Sequence, residues 1–114
     1  MNPLLLVGVG GMTGALGRHL VGTRLERNRA DTLAVNVLGS VLLGALVAAP
    51  VGESVAFAVG TGFCGAFTTF SSFAFETVRL AELGYPRQAA LYAGGTLAVA
   101  LVGVALGGFV GASL

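Results

Sequence analysis

Four apolar stretches, each roughly 20 residues long, divide this chain, and its charged residues fall almost entirely in the short gaps between them. A bilayer's hydrocarbon core, about 30 Å thick, is spanned by roughly 20 helical residues. The stretches run from Pro3 to Leu20, from Thr32 to Ala49, from Ser54 to Phe75 or on to Val78, and from Gln88 to Ala112. Between them lie Val21–Asp31, Pro50–Glu53 and Arg79–Arg87, which leave no room for a second domain. With 55% hydrophobic and 10% charged residues, the chain has too little polar surface to clothe a globule in water, where about 25% charged is usual. The expected architecture is therefore all-α and integral to a membrane, with residues 1–114 forming one unit of four transmembrane helices. The first stretch lacks the basic leader of a secretion signal and is followed by three similar segments, so it reads as mature structure.

Four spans put both termini and the middle connection on one side of the membrane. Arg24, Arg27, Arg29, Arg79 and Arg87 all fall in the first and last connections, and none of the chain's other connections or termini carries Arg or Lys. The positive-inside rule then makes those two connections cytoplasmic and both termini external. The net charge of +1 says nothing about nucleic acid, but the lack of a basic stripe interleaved with aromatics argues against a nucleic-acid reader. A single cysteine, Cys64, excludes an internal disulfide and a multi-cysteine metal site.

The 19 glycines fit lipid better than water, because small residues let membrane helices approach closely. Gly10 and Gly14, then Gly103, Gly107 and Gly111, are spaced four apart, and Ser40 and Gly44 form a related pair. These steps mark close helix contacts. Four helices this short can hardly surround an aqueous pathway and also shield it from lipid, so an oligomer with pathways at or near the subunit interface is expected.

The third stretch holds the chemistry. Glycines at 60, 62 and 65 weaken it as a helix, and Thr68, Thr69, Phe70, Ser71 and Ser72 then follow. Irregular backbone at membrane depth is tolerated only within protein or beside a cavity, and broken helices present carbonyls and amides to ions. A break between Gly65 and Ser72 is thus a candidate ion site. Phe67, Phe70 and Phe73 are three apart and share a face if the helix continues. They read either as a packing stripe or, beside the hydroxyls, as ring edges of partial positive charge that hold a small hard anion.

Elsewhere polar residues are sparse. Asn36, one turn after Thr32, needs a hydrogen-bond partner and reads equally as an interhelical tie or as pore lining. Tyr92 and Thr96 are likewise one turn apart. Arg18, at the end of the first stretch, either snorkels to the interface or draws anions into a vestibule. Glu76 either pairs with an arginine or caps structure, His19 reads as interfacial, and Cys64 as a small core residue.

Together these residues resemble the Fluc family of fluoride channels, also called CrcB. The resemblance is carried by Gly-x-x-Gly-Ala-x-x-Arg at 11–18, Thr-Leu-x-Val-Asn-x-x-Gly at 32–39, Gly-Phe-Cys-Gly-x-x-Thr-Thr-Phe-Ser at 62–71 and Phe-x-x-Glu at 73–76. It implies a prokaryotic cell-membrane protein that exports fluoride from the cytoplasm down its gradient, built as an antiparallel dimer with two pores. It also implies a broken third helix whose Gly65 and Thr68 carbonyls hold a structural sodium ion (Na+). Phe70 and Phe73 would face fluoride, Asn36 would donate to it, Ser72, Tyr92 and Thr96 would line the pore, and Arg18 would sit at the vestibule. Ser72 stands where the family commonly has threonine, and Ala100 stands where some members carry a further hydroxyl.

An antiparallel homodimer needs a chain that inserts both ways, which expects balanced arginines. The one-sided distribution points instead to a fixed orientation and a paralogous partner of opposite topology. Three other classes stand beside the channel. A small proton-coupled multidrug-type exporter needs a membrane-embedded acid, and the first, second and fourth stretches contain none. A nucleotide-binding enzyme is suggested only by Leu4–Gly11 followed by Gly14, with Glu26 or Asp31 as the ribose acid. An assembly subunit without transport is disfavoured by the weak third helix.

Overall fold

A computed structural model describes residues 2–25 and 30–114. They form helices α1 (Pro3–Arg24), α2 (Ala30–Ala48), α3 (53–67), α4 (Phe70–Glu82) and α5 (Pro86–Ala112). α3 and α4 are the two halves of one interrupted span, so four spans are long and apolar enough to cross a membrane.

The ends of the helices follow from local chemistry. Pro3 opens α1 with its fixed φ, and the Asn2 side chain accepts the Leu4 N–H at 2.8 Å. α4 closes on Gly84 at φ +91°, with Tyr85 N–H donating to Leu80 O at 2.9 Å and Gly84 N–H to Ala81 O at 3.2 Å. This 6→1 and 5→2 pair needs a left-handed residue. Pro86 then opens α5 directly.

Hydropathy under-reads these lengths. α1 continues beyond Leu20 to Arg24, α4 beyond Val78 to Glu82, and α5 starts at Pro86 rather than Gln88. α2 starts at Ala30 rather than Thr32 and stops at Ala48. Backbone hydrogen bonding carries each helix into polar turns that an apolar count leaves out. The glycine-rich strand and turn considered for Leu4–Gly11 is overturned, because that run lies inside α1. Glu26, Arg27 and Arg29 lie outside the described residues.

The glycines decide which helices meet. A Cβ on Gly10 would collide with the Ala58 carbonyl, and one on Gly14 with that of Phe63. On the facing helix, a Cβ at Gly62 would come within 2.7 Å of Val7 O. α1 therefore lies backbone to backbone on α3. In the same way Gly44 meets the Val104 carbonyl, Gly107 that of Val41 and Gly111 that of Ala45, which seats α5 on α2. The paired numbers rise together in both cases, so each pair is parallel. The short connections make sequential spans alternate, and both termini share one end with residues 49–52.

Side-chain volume is distributed inside out. Most buried positions are glycine or other small residues, while Leu4, Met12, Leu16, Val47, Leu106 and Phe109 are exposed. Association without a hydrophobic drive depends on such close small-residue packing. Gly107→Val is expected to prevent α2 and α5 from docking, seen as loss of the monodisperse species in detergent chromatography. Gly8→Ala, whose added methyl meets nothing within 4 Å, is expected to change stability by no more than about 0.5 kcal/mol.

Candidate functional site

The third span breaks at Thr68 and Thr69, both in extended conformation (φ −80°, ψ 162° and φ −146°, ψ 110°). Before the break the backbone of Ala56–Cys64 is wound as a π-helix, a form that clusters at functional positions. The glycines at 60 and 62 lie in this stretch.

The break is held by side chains. Asn36 on α2 reaches the Thr69 peptide from both directions: its Oδ1 accepts Thr69 N–H at 2.7 Å, and its Nδ2 donates to Thr69 O at 3.1 Å. The peptide's own donor and acceptor fix the amide's orientation. Thr69 is 8% exposed, so without Asn36 its backbone would be costly to bury. The Thr69 hydroxyl in turn accepts Ser72 N–H at 3.2 Å and caps α4. Thr68 Oγ1 donates back to Cys64 O at 2.9 Å.

These bonds divert two of the amides that a continuous helix would use. In a continuous α-helix Thr69 N–H would serve Gly65 O, and Ser72 N–H would serve Thr68 O. Both amides are taken instead by side chains. Gly65 and Thr68 border a groove of about 450 Å³ together with Asn36, Phe70, Phe73 and Thr96. Among the described residues, no three His, Cys, Asp or Glu side chains gather where they could hold a metal ion.

The aromatic stripe does not survive as a single face. Phe67 is buried and stacks on Phe63, centroids 5.3 Å apart. Phe70 and Phe73, beyond the break, make a separate row with Tyr92: 6.1 Å from Phe70 to Phe73 and 5.5 Å from Phe73 to Tyr92, tilted by 52° and 41°. The extended residues 68 and 69 turn the chain between them, which is why the three-residue spacing misleads. Phe70 is 78% exposed and Thr96 only 6%.

On the other side of the break a cavity of about 370 Å³ is lined by Arg18, His19, Asp31, Thr32, Thr69 and Ser72 among others. Arg18 lies within α1, not at its end, and its Nη2 donates to Ser72 Oγ at 3.4 Å. Thr69 borders both this cavity and the groove. His19 lines the cavity beside Arg18.

Among the described residues, Glu76 neither pairs with an arginine nor caps a helix. Its carboxylate accepts from Tyr92 Oη at 2.7 Å and from Thr32 Oγ1 at 3.3 Å, joining α5 and α2 to α4. Thr32 therefore turns to Glu76, not to Asn36 one turn away. This network was the part least visible beforehand. Its one signal was an acid three residues after Phe73, within reach of a hydroxyl-bearing aromatic. Cys64 is buried, its Sγ 3.8 Å from Gly39 O.

The family model described as CrcB-like protein, Camphor Resistance (CrcB), matches residues 5–112. A protein of Natronomonas pharaonis named fluoride-specific ion channel FluC 2 is 56% identical over 96% of this chain and 95% of its own length. The protein of that name from Haloarcula marismortui is 53% identical over 89% and 87%. A fluoride-specific ion channel FluC 1 of Methanosarcina barkeri is 38% identical over 93% and 94%. Matched by the family model along nearly its whole length, and more than half identical to two of these relatives, this four-span chain belongs to the CrcB family.

Proposed function

We propose that this chain is one subunit of a fluoride-selective channel that lets fluoride leave the cytoplasm down its gradient. The observation that carries the reading is the broken third span, which gathers Asn36, Phe70, Phe73, Ser72 and Thr96 around one discontinuity. Relatives alike over nearly their full length are named fluoride-specific ion channels, a class of transport protein and not of enzyme. That naming weighs against the proton-coupled exporter.

Fluoride is small and strongly hydrated, so a pore must replace its water with donors and still let it go. Arg18 draws the anion into the cavity above the break. Ser72 accepts from Arg18 and keeps its own hydroxyl hydrogen to give. Asn36 spends one amide hydrogen on Thr69 O and has a second for the anion. The edges of Phe70 and Phe73 supply weaker positive contacts. Tyr92 and Thr96 complete the lining, and the Tyr92 ring also packs at a tilt against Phe73. None of Asn36, Phe70, Phe73, Tyr92 and Thr96 is a cation, so the anion is not trapped among them.

The groove beside Gly65 and Thr68 is open, and one subunit offers the carbonyls of these two residues. A second subunit in antiparallel orientation would bring the same pair across a twofold axis, and these backbone carbonyls would hold a structural sodium ion. Arg24, Arg79 and Arg87 lie at one end of the bundle by the alternation of spans, which favours external termini and a partner subunit of opposite topology. Several relatives carry the numbers 1, 2 and 3, so paralogous copies occur in the family.

The test is fluoride efflux from liposomes, read by a fluoride electrode, with chloride as control. The expected result is rapid fluoride loss without chloride loss once the chain is coexpressed with its opposite-facing paralogue, and little flux from the chain alone. Flux from the chain alone would refute the obligate partner and keep the channel. Silence in both preparations would overturn the channel.

A further inference from the structure

We infer that Asn36 and the Thr69 hydroxyl act as a two-part clamp that holds the Gly65 and Thr68 carbonyls open for the cation, which makes them positioning residues for that ion as well as structural ones. The inference rests on the sodium reading proposed above. It follows from which donors are diverted and where.

Each half of the clamp removes one helix hydrogen bond. Asn36 Oδ1 takes Thr69 N–H, the donor that a continuous α-helix would give to Gly65 O. Thr69 Oγ1 takes Ser72 N–H, the donor that would go to Thr68 O. The Nδ2 bond to Thr69 O then anchors the diverted peptide to α2, a helix seated on α5 by glycine contacts. The break also leaves the Ala66 and Phe67 carbonyls without helix amides, but the two whose donors are held by side chains are the two assigned to the cation. Neither Asn36 nor Thr69 Oγ1 need touch the ion. They set the equilibrium between an open break, whose carbonyls bind it, and a healed helix, whose carbonyls are occupied by amides.

Binding to only one of two states is weakened by the fraction of time spent in the other. Loss of one diverting bond returns about one backbone hydrogen bond to the helix, which lowers apparent sodium affinity about tenfold. Thr69→Val keeps the side chain's shape and removes the acceptor. Thr69→Ser keeps the acceptor. Asn36→Ala removes the other half.

The test uses the assembled protein in detergent, with its partner subunit if one is required. The thermal unfolding midpoint is followed as sodium replaces potassium at constant ionic strength. Wild type is expected to gain stability in sodium. Thr69→Val and Asn36→Ala are expected to need about ten times more sodium for half of that gain, whereas Thr69→Ser responds as wild type. Gly111→Ala, which disturbs the α2–α5 contact at Ala45, nine residues beyond Asn36, is expected to lower the midpoint and leave the sodium response unchanged. If Asn36→Ala does not assemble, the Thr69 pair decides the matter alone. A wild-type response with an unaltered one in Thr69→Val overturns the clamp while the sodium reading stands. No sodium response in wild type overturns both.

Discussion

Replacing Phe73 by leucine is expected to cut fluoride efflux about a hundredfold or more while the protein still assembles. Phe73 lies between the rings of Phe70 and Tyr92, so on the proposed reading its edge is the central contact of the row. Leucine fills much of the same volume, and the packing loss should stay near 1 kcal/mol. What it cannot replace is the partial positive charge of the ring edge. A tightly hydrated anion left without one of its few substitutes for water meets a barrier higher by about 2–3 kcal/mol, and each 1.36 kcal/mol is tenfold in rate. Phe75→Leu is the matched control, because Phe75 is exposed and takes no part in the row. Flux near normal in both variants would remove the rings from the conduction path.

Glu76→Leu is expected to destabilise the subunit by about 3 kcal/mol and to reduce flux as well. The carboxylate collects hydroxyls from α2 and α5, and hydrogen bonds to charged acceptors are worth about 1.5–3 kcal/mol each. Thr32, 3% exposed, loses an acceptor that leucine cannot supply. The flux effect follows from geometry. Glu76 holds the Tyr92 hydroxyl, and the Tyr92 ring supports Phe73. Glu76→Gln keeps one acceptor oxygen and should retain most stability. The check is the thermal midpoint in detergent for both variants, followed by liposome efflux at matched protein density. If Glu76→Leu unfolds no earlier than wild type, the carboxylate does not tie these helices together.

Much of the fold was legible because lipid imposes coarse rules. Span length, the number of spans and their alternation follow from bilayer thickness and the confinement of charge to the connections. The glycine steps were legible too, since small residues four apart mark close helix contacts whatever the partner. Spacing alone did not name the partner. Gly10 and Gly14 meet α3, and Gly107 and Gly111 meet α2, in parallel pairs between helices that are not neighbours in the chain.

The candidate site was legible as a composition and hidden as a geometry. Glycines followed by a run of hydroxyls announced a weak helix between Gly65 and Ser72. They did not say that the turn falls at Thr68 and Thr69, and so they grouped Phe67 with Phe70 and Phe73. Nor did they say that Asn36 reaches across to a backbone peptide, or that Thr32 ignores Asn36 and turns to Glu76. Each of those outcomes depends on which helix stands opposite.

The sequence by itself determined the solvent, the four spans, their alternation and the stretch where the helix fails, because these depend on hydropathy, length and local propensity. Only the tertiary structure decided which carbonyls are released and which rings line up. A polar group buried in a membrane protein must find a partner, and that partner is chosen by distance between helices far apart in the chain.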